Sequence, residues 1–570
     1  GISFTAETRL YELTGSAAVS GLLVESFSAR EALNELFEYR ISVLASSAHV
    51  ELPALLGQQA SLAISLADGG RTTRSGVIVQ AAALQSDGGL ARYELVVRPW
   101  LAALQLTSRS QSFIDKSLIE IVEAVFQPYA GLAAWRWSEE VAGFLAPVSP
   151  RHYCNQFRET DYAFVSRVLA EQGIGWRCEE DEAAPRGHRI VFFADSVALP
   201  EDESSAAGGG IRYHRASSQE DSDAVQAYTQ AHRLHPAAAS VQAWDYAAKR
   251  SHAASVPTRA LAQHAPRLEH YEPAGSLDHH GGASHFAAAH HARVQIEALE
   301  AWHQRHEGLS TVRSLRPGTR FTLLDAPLGP GHSARQLVTA VTHAGINNLP
   351  KELNDAIAQR LGPAGFVHPL PAEVRAQAQA SGYGNHFQCL DAERPWRPRL
   401  QDDTGARLNP KPTVLGPQSA TVVGPHGQTQ PQGADEIYTD RWGRIQVQFH
   451  WQAHASHPSA SAHSIWVRVA QPYAGPGMGL QFIPRIGQEV LVDFEELDID
   501  RPLVKAAFYN GKGEAGVPAT PGGSPAEADT SAYALSSDHR PSAQGNQSGG
   551  NAPAWHGGAP GPQAQSNPAA

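Results

Sequence analysis

The sequence predicts a mainly β protein that contains an α+β insert. Fifty glycines and 38 prolines among 570 residues indicate many turns, and therefore many short strands. In residues 444–451, RIQVQFHW, apolar and polar residues alternate over eight positions, which is typical of a half-buried strand. The segment SLIEIVEAVFQPY shows instead the apolar spacing of a helix. We therefore expect β modules on either side of a segment that mixes helices and strands.

The composition excludes several classes of function. The formal net charge of −12 argues against a general nucleic-acid binder, which needs an excess of lysine and arginine for phosphate contacts. The sequence contains no run of about 18 apolar residues, so it predicts no membrane-spanning helix. The first residues show no secretory signal, although the chain begins with Gly1 rather than Met, which leaves a removed leader open.

The three cysteines predict no disulfide framework. Cys154, Cys178 and Cys389 are widely spaced and form no C-x-x-C pair. Such a sparse, odd set is typical of a reducing compartment and does not indicate a zinc site. We expect three ordinary, partly buried thiols.

The first part of the chain divides into two segments. Residues 1–95 are expected to form a β module, because TRSGVIVQAA and RYELVVRPW are β-type runs. Residues 96–214 form the predicted α+β insert. Its first helix is expected to start at a capping box of Ser117 and Glu120 and to end before Pro128.

The second helix of the insert is predicted in TDYAFVSRVLAEQGIGW. Thr160 is expected to be the N-cap and Gly173 to occupy the C′ position. The run RIVFFAD then returns to strand.

The second part of the chain divides into four segments. Residues 215–350 are expected to form a second β module with an Ala- and His-rich helix closed by Gly308. Residues 351–410 have scattered prolines and weak periodicity, which favours a connector. Residues 411–510 contain five short strands with turns between them, which predicts a small Greek-key barrel of the OB type. Residues 511–570 contain too few large apolar residues to fold alone.

The histidine-rich stretch is the first candidate for a metal site. A helix that binds metal needs two imidazoles at i, i+4 on one face, and the spacings here are one, three or five. Only His303 and His306 could share a face, and no carboxylate base lies between them. We therefore expect a solvated, Ala-rich helical face, with metal binding left open. The nine histidines are His264, His270, His279, His280, His285, His290, His291, His303 and His306.

Patterns of catalysis are missing from the sequence. It contains no G-x-S-x-G nucleophile elbow and no S-x-x-K element with its partners. GPGMGL at 475–480 lacks the order of a phosphate-binding loop and is expected to be a hairpin loop. The acidic run DFEELDID has no EF-hand spacing and is expected to be a solvated strand end. We predict no enzyme activity, no cofactor, and no catalytic, cofactor-binding or metal residue.

The aromatic residues of the predicted barrel leave a binding role open. We favour packing of these side chains in the core or at a subunit interface. The alternative is that they stack on sugars. Between residues 435 and 505 acids outnumber lysine plus arginine, which excludes a groove for phosphate. The aromatic residues are Tyr438, Trp442, Trp451, Trp466 and Tyr473.

Two stretches resemble one family. YCNQFRETDYAFVSRVLAEQGI at 153–174 resembles the C-Q-Y-R-E-[ST]-D…F…R-L-L-A-E-E-G-I segment of VgrG proteins, the spike subunits of type VI secretion systems. DEIYTDRWGRIQVQFHW at 435–451 resembles their D-x-x-G-R-[IV]-x-V-x-F-x-W motif. Supporting pieces occur in the same order, and together they cover most of residues 1–510.

The resemblance implies a mechanical function. Residues 1 to about 380 would resemble the hub of a contractile phage tail, and residues 411–510 the OB collar of its spike. Three chains would form a homotrimer that caps an Hcp-type tube hexamer and punctures the target-cell envelope. The implied partners are a PAAR-type tip protein bound through a needle, and effector or adaptor proteins, with no nucleic acid and no stable membrane insertion. The trimer would be assembled in the bacterial cytoplasm and secreted into the target cell or the medium.

The chain departs from the family pattern in two places. The family has Gly-Asp-Pro-Asp-Arg-Pro where residues 497–502 read LDIDRP, so we expect a different turn. The collar is normally followed by a β-helix needle, and residues 511–570 lack its repeat, which we attribute to a chain that stops before the needle. The alternatives to a purely structural spike subunit are a cargo-adaptor platform and an effector-bearing spike whose catalytic extension is absent from this chain. The sequence identifies neither the cargo nor the target cell.

Overall fold

The structure is a computed structural model that forms two compact units. Unit 1 comprises residues 1–109, 115–152 and 158–411, and unit 2 comprises residues 110–114, 153–157 and 412–570. The structure describes residues 9–46, 49–214, 223–245, 249–273, 285–329, 331–363, 366, 369–431, 435–452 and 464–508. The predicted tail at 511–570 lies outside the described residues.

The strands account for most of the regular structure. In the first half of the chain they are β1 (Tyr11–Gly15), β2 (Leu23–Ala32), β3 (Glu38–Ala45), β4 (Gln59–Ser65), β5 (Arg71–Ser86), β6 (Ala91–Arg98), β7 (Ser108–Lys116), β8 (Trp135–Trp137), β9 (Arg151–Thr160), β10 (Gly175–Glu180), β11 (His188–Phe193), β12 (Ile211–Arg212), β13 (Val225–Thr229), β14 (Ala238–Asp245), β15 (Arg250–Pro257) and β16 (Glu269–Pro273). In the second half they are β17 (His306–Ser310), β18 (Arg320–Leu324), β19 (Arg335–Ile346), β20 (Tyr383–Asp391), β21 (Gln418–Val423), β22 (Gln446–Phe449), β23 (Arg468–Val469), β24 (Ala474–Gly475), β25 (Met478–Gly479), β26 (Glu489–Phe494) and β27 (Pro502–Ala507).

The α-helices all lie in unit 1. They are α1 (Ala17–Ser20), α2 (Leu52–Leu55), α3 (Leu118–Phe126), α4 (Val141–Leu145), α5 (Asp161–Glu171), α6 (Glu203–Gly208), α7 (His285–Trp302), α8 (Lys351–Leu361) and α9 (Ala372–Ser381) among the described residues.

A twelve-stranded sheet forms the body of unit 1. Its main path runs β1-β4-β5-β6-β3-β2-β19-β20-β17-β13, and the pairing of β2 with β19 joins strands of the two predicted β modules. The Asn347 side chain links β1 to β2, because its Nδ2 donates to Tyr11 O at 3.0 Å and to Val24 O at 2.8 Å. One amide therefore connects the first and last strands of a six-stranded group, whose enclosed core is apolar.

The two helices predicted in the insert are confirmed. At α3, Ser117 Oγ accepts a hydrogen bond from Glu120 N at 3.2 Å, and Ser117 N donates to the Glu120 carboxylate at 3.1 Å. At α5, Thr160 Oγ1 accepts from Ala163 N at 3.1 Å, and Gly173 follows the helix with φ of 75°. Local capping chemistry therefore determined both starts.

The Ala- and His-rich helix α7 ends earlier than we predicted. Gly308 does not close it: the helix ends at Trp302, and Gly308 lies inside β17. A Cβ atom at residue 308 would lie 2.5 Å from Ala227 O and 2.5 Å from Phe387 Cζ. The glycine therefore marks close packing within a sheet rather than a helix C-terminus.

Residues 351–410 contain more regular structure than the predicted connector. They hold α8, α9 and β20, and β20 lies between β19 and β17 in the large sheet. Six of the nine residues of β20 are buried, but they include Gly384 and Asn385, so apolar and polar residues show no clear alternation in its sequence. The two-residue period that reveals a half-buried strand is therefore lacking here.

The five strands predicted after residue 411 are confirmed and form a barrel. The hydrogen-bonded order is β22-β21-β26-β27-β23, and a bridge between Ile445 and Val467 closes the ring. The β23–β27 pair is parallel, and the other ladders of the ring are antiparallel. This order and the closure agree with the predicted OB type.

Unit 2 also includes two segments that are distant in sequence from the barrel. Strands β7 and β9 pair with each other, and residues 110–114 and 153–157 of this ribbon belong to unit 2. Phe157 belongs to the apolar core of the barrel. Asn155 N donates to Asp500 Oδ1 at 2.7 Å. No pattern in the sequence indicated that the barrel unit is discontinuous.

Candidate functional site

The turn before β22 is organised by one carboxylate. Asp440 accepts hydrogen bonds from Trp442 N at 3.0 Å, from Arg444 N at 2.9 Å and from Arg444 Nε at 2.6 Å. Gly443 supplies the left-handed backbone, with φ of 74°. Burial opposes ionisation of Asp440, but the backbone donors and the Arg444 guanidinium lower its pKa overall. The predicted turn is confirmed, and its chemistry is structural.

Strand β22 is shorter than the alternation predicted. Ile445, Val447 and Phe449 point into the barrel core as expected, but the strand ends at Phe449 and a 3₁₀ turn follows. Trp451 stacks on Phe449 with ring centroids 5.4 Å apart and lies 5.5 Å from the ring of Phe157. Trp451, which was expected in the strand, therefore lies after it and packs against Phe157 of the β7–β9 ribbon.

Gln452 joins the end of this strand to the ribbon. Its Oε1 accepts from Phe449 N at 2.9 Å, and its Nε2 donates to Ser112 Oγ at 2.7 Å and to Tyr153 Oη at 3.1 Å. The sequence carried no signal for these contacts, because the partners are about 300 residues apart in the chain.

The turn at residues 497–502 begins with a backbone conformation that suits glycine. Leu497 has φ of 60°, in the left-handed region that L residues rarely adopt. Ile499, which replaces a proline of the resembled family, is fully buried in the barrel core. The predicted solvated strand end holds for Glu496, which is largely exposed, but not for Asp500, which binds the ribbon.

Unit 2 exposes a group of large apolar side chains, which we call the hairpin surface. GPGMGL forms the short hairpin β24–β25, as predicted. The exposed fractions are 58% for Tyr473, 60% for Met478, 50% for Leu480 and 66% for Phe482. The amide of Gln471 exchanges hydrogen bonds with the backbone of Phe482, at 3.0 and 3.2 Å, and fixes the base of the hairpin. Apolar residues grouped on a surface indicate an interaction site.

The remaining barrel aromatics divide between two environments. Tyr438 and Trp466 are half-buried and contact each other, with ring centroids 4.8 Å apart. Trp442 is exposed, and the guanidinium groups of Arg441 and Arg444 each lie 4.5 Å from its ring centroid.

The expected solvated face of histidines on α7 is wrong. His290 and His291 are buried, and Ala288 and Ala292 beside them pack in an apolar cluster. Burial lowers the pKa of His290 to about 4 and that of His291 to about 3. His279 and His280, and the side chain of His285, lie outside the described residues.

A buried polar network crosses the large sheet. Tyr39 Oη donates to Glu31 Oε2 at 2.7 Å, and His343 Nε2 lies 3.1 Å from the same oxygen. Burial alone would raise the pKa of Glu31, but His343 and the guanidinium groups of Arg74 and Arg316 lower it to about 2. A perturbed pKa can mark a functional site, but here the partners of Glu31 come from three strands and one loop of the core. The network therefore has a structural explanation.

The three cysteines are present as thiols and form no disulfide with one another. Cys154 and Cys389 are buried and Cys178 is partly buried. Burial raises the pKa of Cys178 to about 12, so its thiolate is not accessible near neutral pH.

Comparison with protein families assigns the larger unit to a known family. Residues 30–349, more than half of the chain, match the model described as phage tail baseplate hub. The chain belongs to the phage tail baseplate hub family. Residues 434–509 match the type VI secretion system/phage-baseplate injector OB domain, which agrees with the barrel in unit 2.

Relatives of this hub are type VI secretion spike proteins of Pseudomonas aeruginosa. VgrG1a is 27% identical over 507 residues, which cover 88% of this chain and 70% of the relative. VgrG5 is 31% identical over 498 residues, which cover 85% of this chain and 56% of the relative. The resemblance to VgrG proteins is confirmed, and the chain is a VgrG-type hub that spans only part of the length of these relatives.

A solved structure supports the fold of the VgrG-type hub. It is the Escherichia coli protein c3393, described as a type VI secretion component with structural similarity to the T4 tail proteins gp27 and gp5. The match has a TM-score of 0.56 at 20% identity and covers 87% of this chain and 100% of that chain. Within the described ranges of the VgrG-type hub, no helix combines the length and apolar character that crossing a bilayer requires.

Proposed function

We propose that this VgrG-type hub is a structural spike subunit of a type VI secretion apparatus. Its role is to trimerise, to cap the secreted tube and to puncture the target-cell envelope while carrying effectors. The observation that carries the proposal is one chain with a hub sheet and an OB barrel, both matched by family models, that is 27–31% identical to VgrG spike proteins over most of its length. The names of these relatives describe a structural role rather than a catalytic one.

The hairpin surface supports assembly into a homotrimer. Four large apolar side chains there are at least half exposed in the single chain. Leaving such a group in water is unfavourable by about 25 cal/mol for each Å² of apolar area. Contact with a neighbouring copy removes this area from water and thereby stabilises the assembly.

The further partners follow from the same proposal. The trimer binds an Hcp-type tube hexamer on its hub side, a PAAR-type tip protein through a needle, and effector or adaptor proteins. Assembly takes place in the bacterial cytoplasm, and contraction of the apparatus delivers the spike to the target cell or the medium. The energy for puncture comes from the contracting sheath, so the mechanism needs no active site in this chain.

The solution mass of the chain tests the proposal. Light scattering is expected to give three times the chain mass for the wild type. Phe482→Asp places a charge on the hairpin surface and is expected to shift the mass towards one chain, whereas the control Phe482→Tyr keeps the apolar area and the trimer. A wild-type monomer would contradict trimerisation by residues 1–570. A trimer that persists in Phe482→Asp would exclude the hairpin surface from the interface.

A further inference from the structure

Two histidines of unit 1 face each other where the chain leaves β13 and enters β17. His306 is the first residue of β17 and is buried, whereas His232 follows β13 by three residues and is exposed. Their Nε2 atoms are 3.4 Å apart. The backbone holds both residues in place, because Ala231 and Arg305 exchange two hydrogen bonds of 3.2 and 2.7 Å.

The surroundings of His306 fix which of its nitrogens carries the proton. Gln336 Nε2 donates to Ser333 O at 3.0 Å and to Asp391 Oδ1 at 2.9 Å. The amide oxygen of Gln336 is therefore the atom that lies 3.0 Å from His306 Nδ1, and Nδ1 must donate to it. His306 Nε2 consequently has a free lone pair directed towards His232.

The separation of the two Nε2 atoms is at the long end for a hydrogen bond and is compatible with two ligands of one metal ion. Hydrogen bonds of protein N–H groups extend to about 3.2 Å between heavy atoms, so 3.4 Å is long for a direct bond. Two imidazole nitrogens bound to tetrahedral Zn²⁺ at about 2.0–2.1 Å lie about 3.3–3.4 Å from each other. The Gln336 amide on the far nitrogen corresponds to the outer partner that orients most metal-bound imidazoles.

We propose that His232 and His306 form a binding site for a divalent transition metal ion of the zinc class. Neutral imidazole is a ligand suited to Zn²⁺, Cu²⁺ and Ni²⁺. Among the described residues no third His, Cys, Asp or Glu completes a ligand group. Water, or a group from another molecule at the exposed His232 side, occupies the other positions. The ion joins the segment after the edge strand β13 to β17.

Equilibrium dialysis of the full chain against Zn²⁺ tests the site. The protein carries no histidine tag and is freed of metal with a chelator before the titration. The variants are His232→Ala, which changes an exposed side chain, and His306→Gln, which keeps a polar group in the buried position. His264→Ala is the matched control, because His264 is exposed in the same unit and lies outside the pair.

The wild type and His264→Ala are expected to bind one equivalent of Zn²⁺ more than His232→Ala and His306→Gln. With Cu²⁺ as a spectroscopic probe, the electron paramagnetic resonance spectrum is expected to show coupling to two imidazole nitrogens in the wild type and to lose it in both variants. Equal binding by the wild type and His232→Ala would overturn the proposal and leave only a long hydrogen bond between the rings. Loss in one variant alone would also overturn it, because a two-imidazole site needs both ligands.

Discussion

Because His291 is buried in its neutral form, unit 1 is expected to be less stable in mild acid. His291 lies on α7 with an exposed fraction of 4%, and burial, with a smaller effect of the neighbouring His290, lowers its pKa to about 3. An unfolded histidine titrates near pH 6.5. Because the folded-state pKa is the lower one, the unfolded chain takes up a proton that the folded chain does not. Stability is therefore lost as the pH falls below about 6.5, until the folded-state pKa is reached.

The size of this effect follows from the two pKa values. At pH 5 the unfolded imidazole is about 1.5 pH units below its pKa, while His291 in the fold stays neutral. At 1.36 kcal/mol per unit, the free energy of unfolding falls by about 2 kcal/mol relative to neutral pH. Glu31, with a pKa of about 2, stays ionised in both the folded and the unfolded chain throughout most of this range and adds little to the change.

Urea unfolding followed by tryptophan fluorescence, at pH 7.5 and at pH 5.0, measures the effect. Between these two pH values the wild type is expected to lose about 2 kcal/mol more than His291→Gln. The control His264→Gln replaces an exposed histidine and is expected to behave like the wild type. Contributions of the buried His188 and His290 are present in all three proteins and cancel to first order. An identical pH dependence in the wild type and His291→Gln would refute the reasoning.

Four substitutions test other parts of the structure. Leu497→Gly relieves the left-handed backbone and is expected to stabilise unit 2 by about 0.5–1 kcal/mol; an unchanged or lower calorimetric Tm would contradict this. Phe157→Ala is expected to cost about 3–5 kcal/mol and to expose the barrel to proteolysis, although residue 157 is far from the barrel in sequence; a barrel that resists protease as the wild type does would count against the discontinuous unit. Asp440→Asn is expected to cost about 1–3 kcal/mol and to speed hydrogen exchange at the N–H groups it accepts from, and unchanged exchange would argue against its role. Gly308→Ala is expected to lower the free energy of unfolding measured with urea by about 1–3 kcal/mol, and a neutral effect would contradict the close packing around residue 308.

Local chemistry in the sequence was sufficient for several elements. The capping box of Ser117 and Glu120 and the N-cap Thr160 each involve residues within three positions of one another, so their outcome needed no knowledge of the rest of the chain. The alternation in residues 444–451 likewise identified which side of β22 packs inward. The β-rich chain was predicted from its many glycines and prolines, and the barrel from five short strands after residue 411.

Tertiary packing decided the features that the sequence left open or suggested wrongly. Gly308 looked like a helix end, but only the positions of Ala227 and Phe387 show why a side chain is excluded there. The buried residues of β20 include Gly384 and Asn385, so no apolar period in the sequence distinguished this strand from a connector.

The same limit applies to the candidate sites. The ribbon of β7 and β9 joins the barrel unit, and His232 meets His306, through contacts between residues far apart in the chain. The sequence by itself determined the local elements and the family of this protein, because caps, turns and alternation are short-range. The discontinuous barrel unit, the buried histidines and the facing imidazoles were decided only by the tertiary structure, because burial and long-range distances depend on the whole fold.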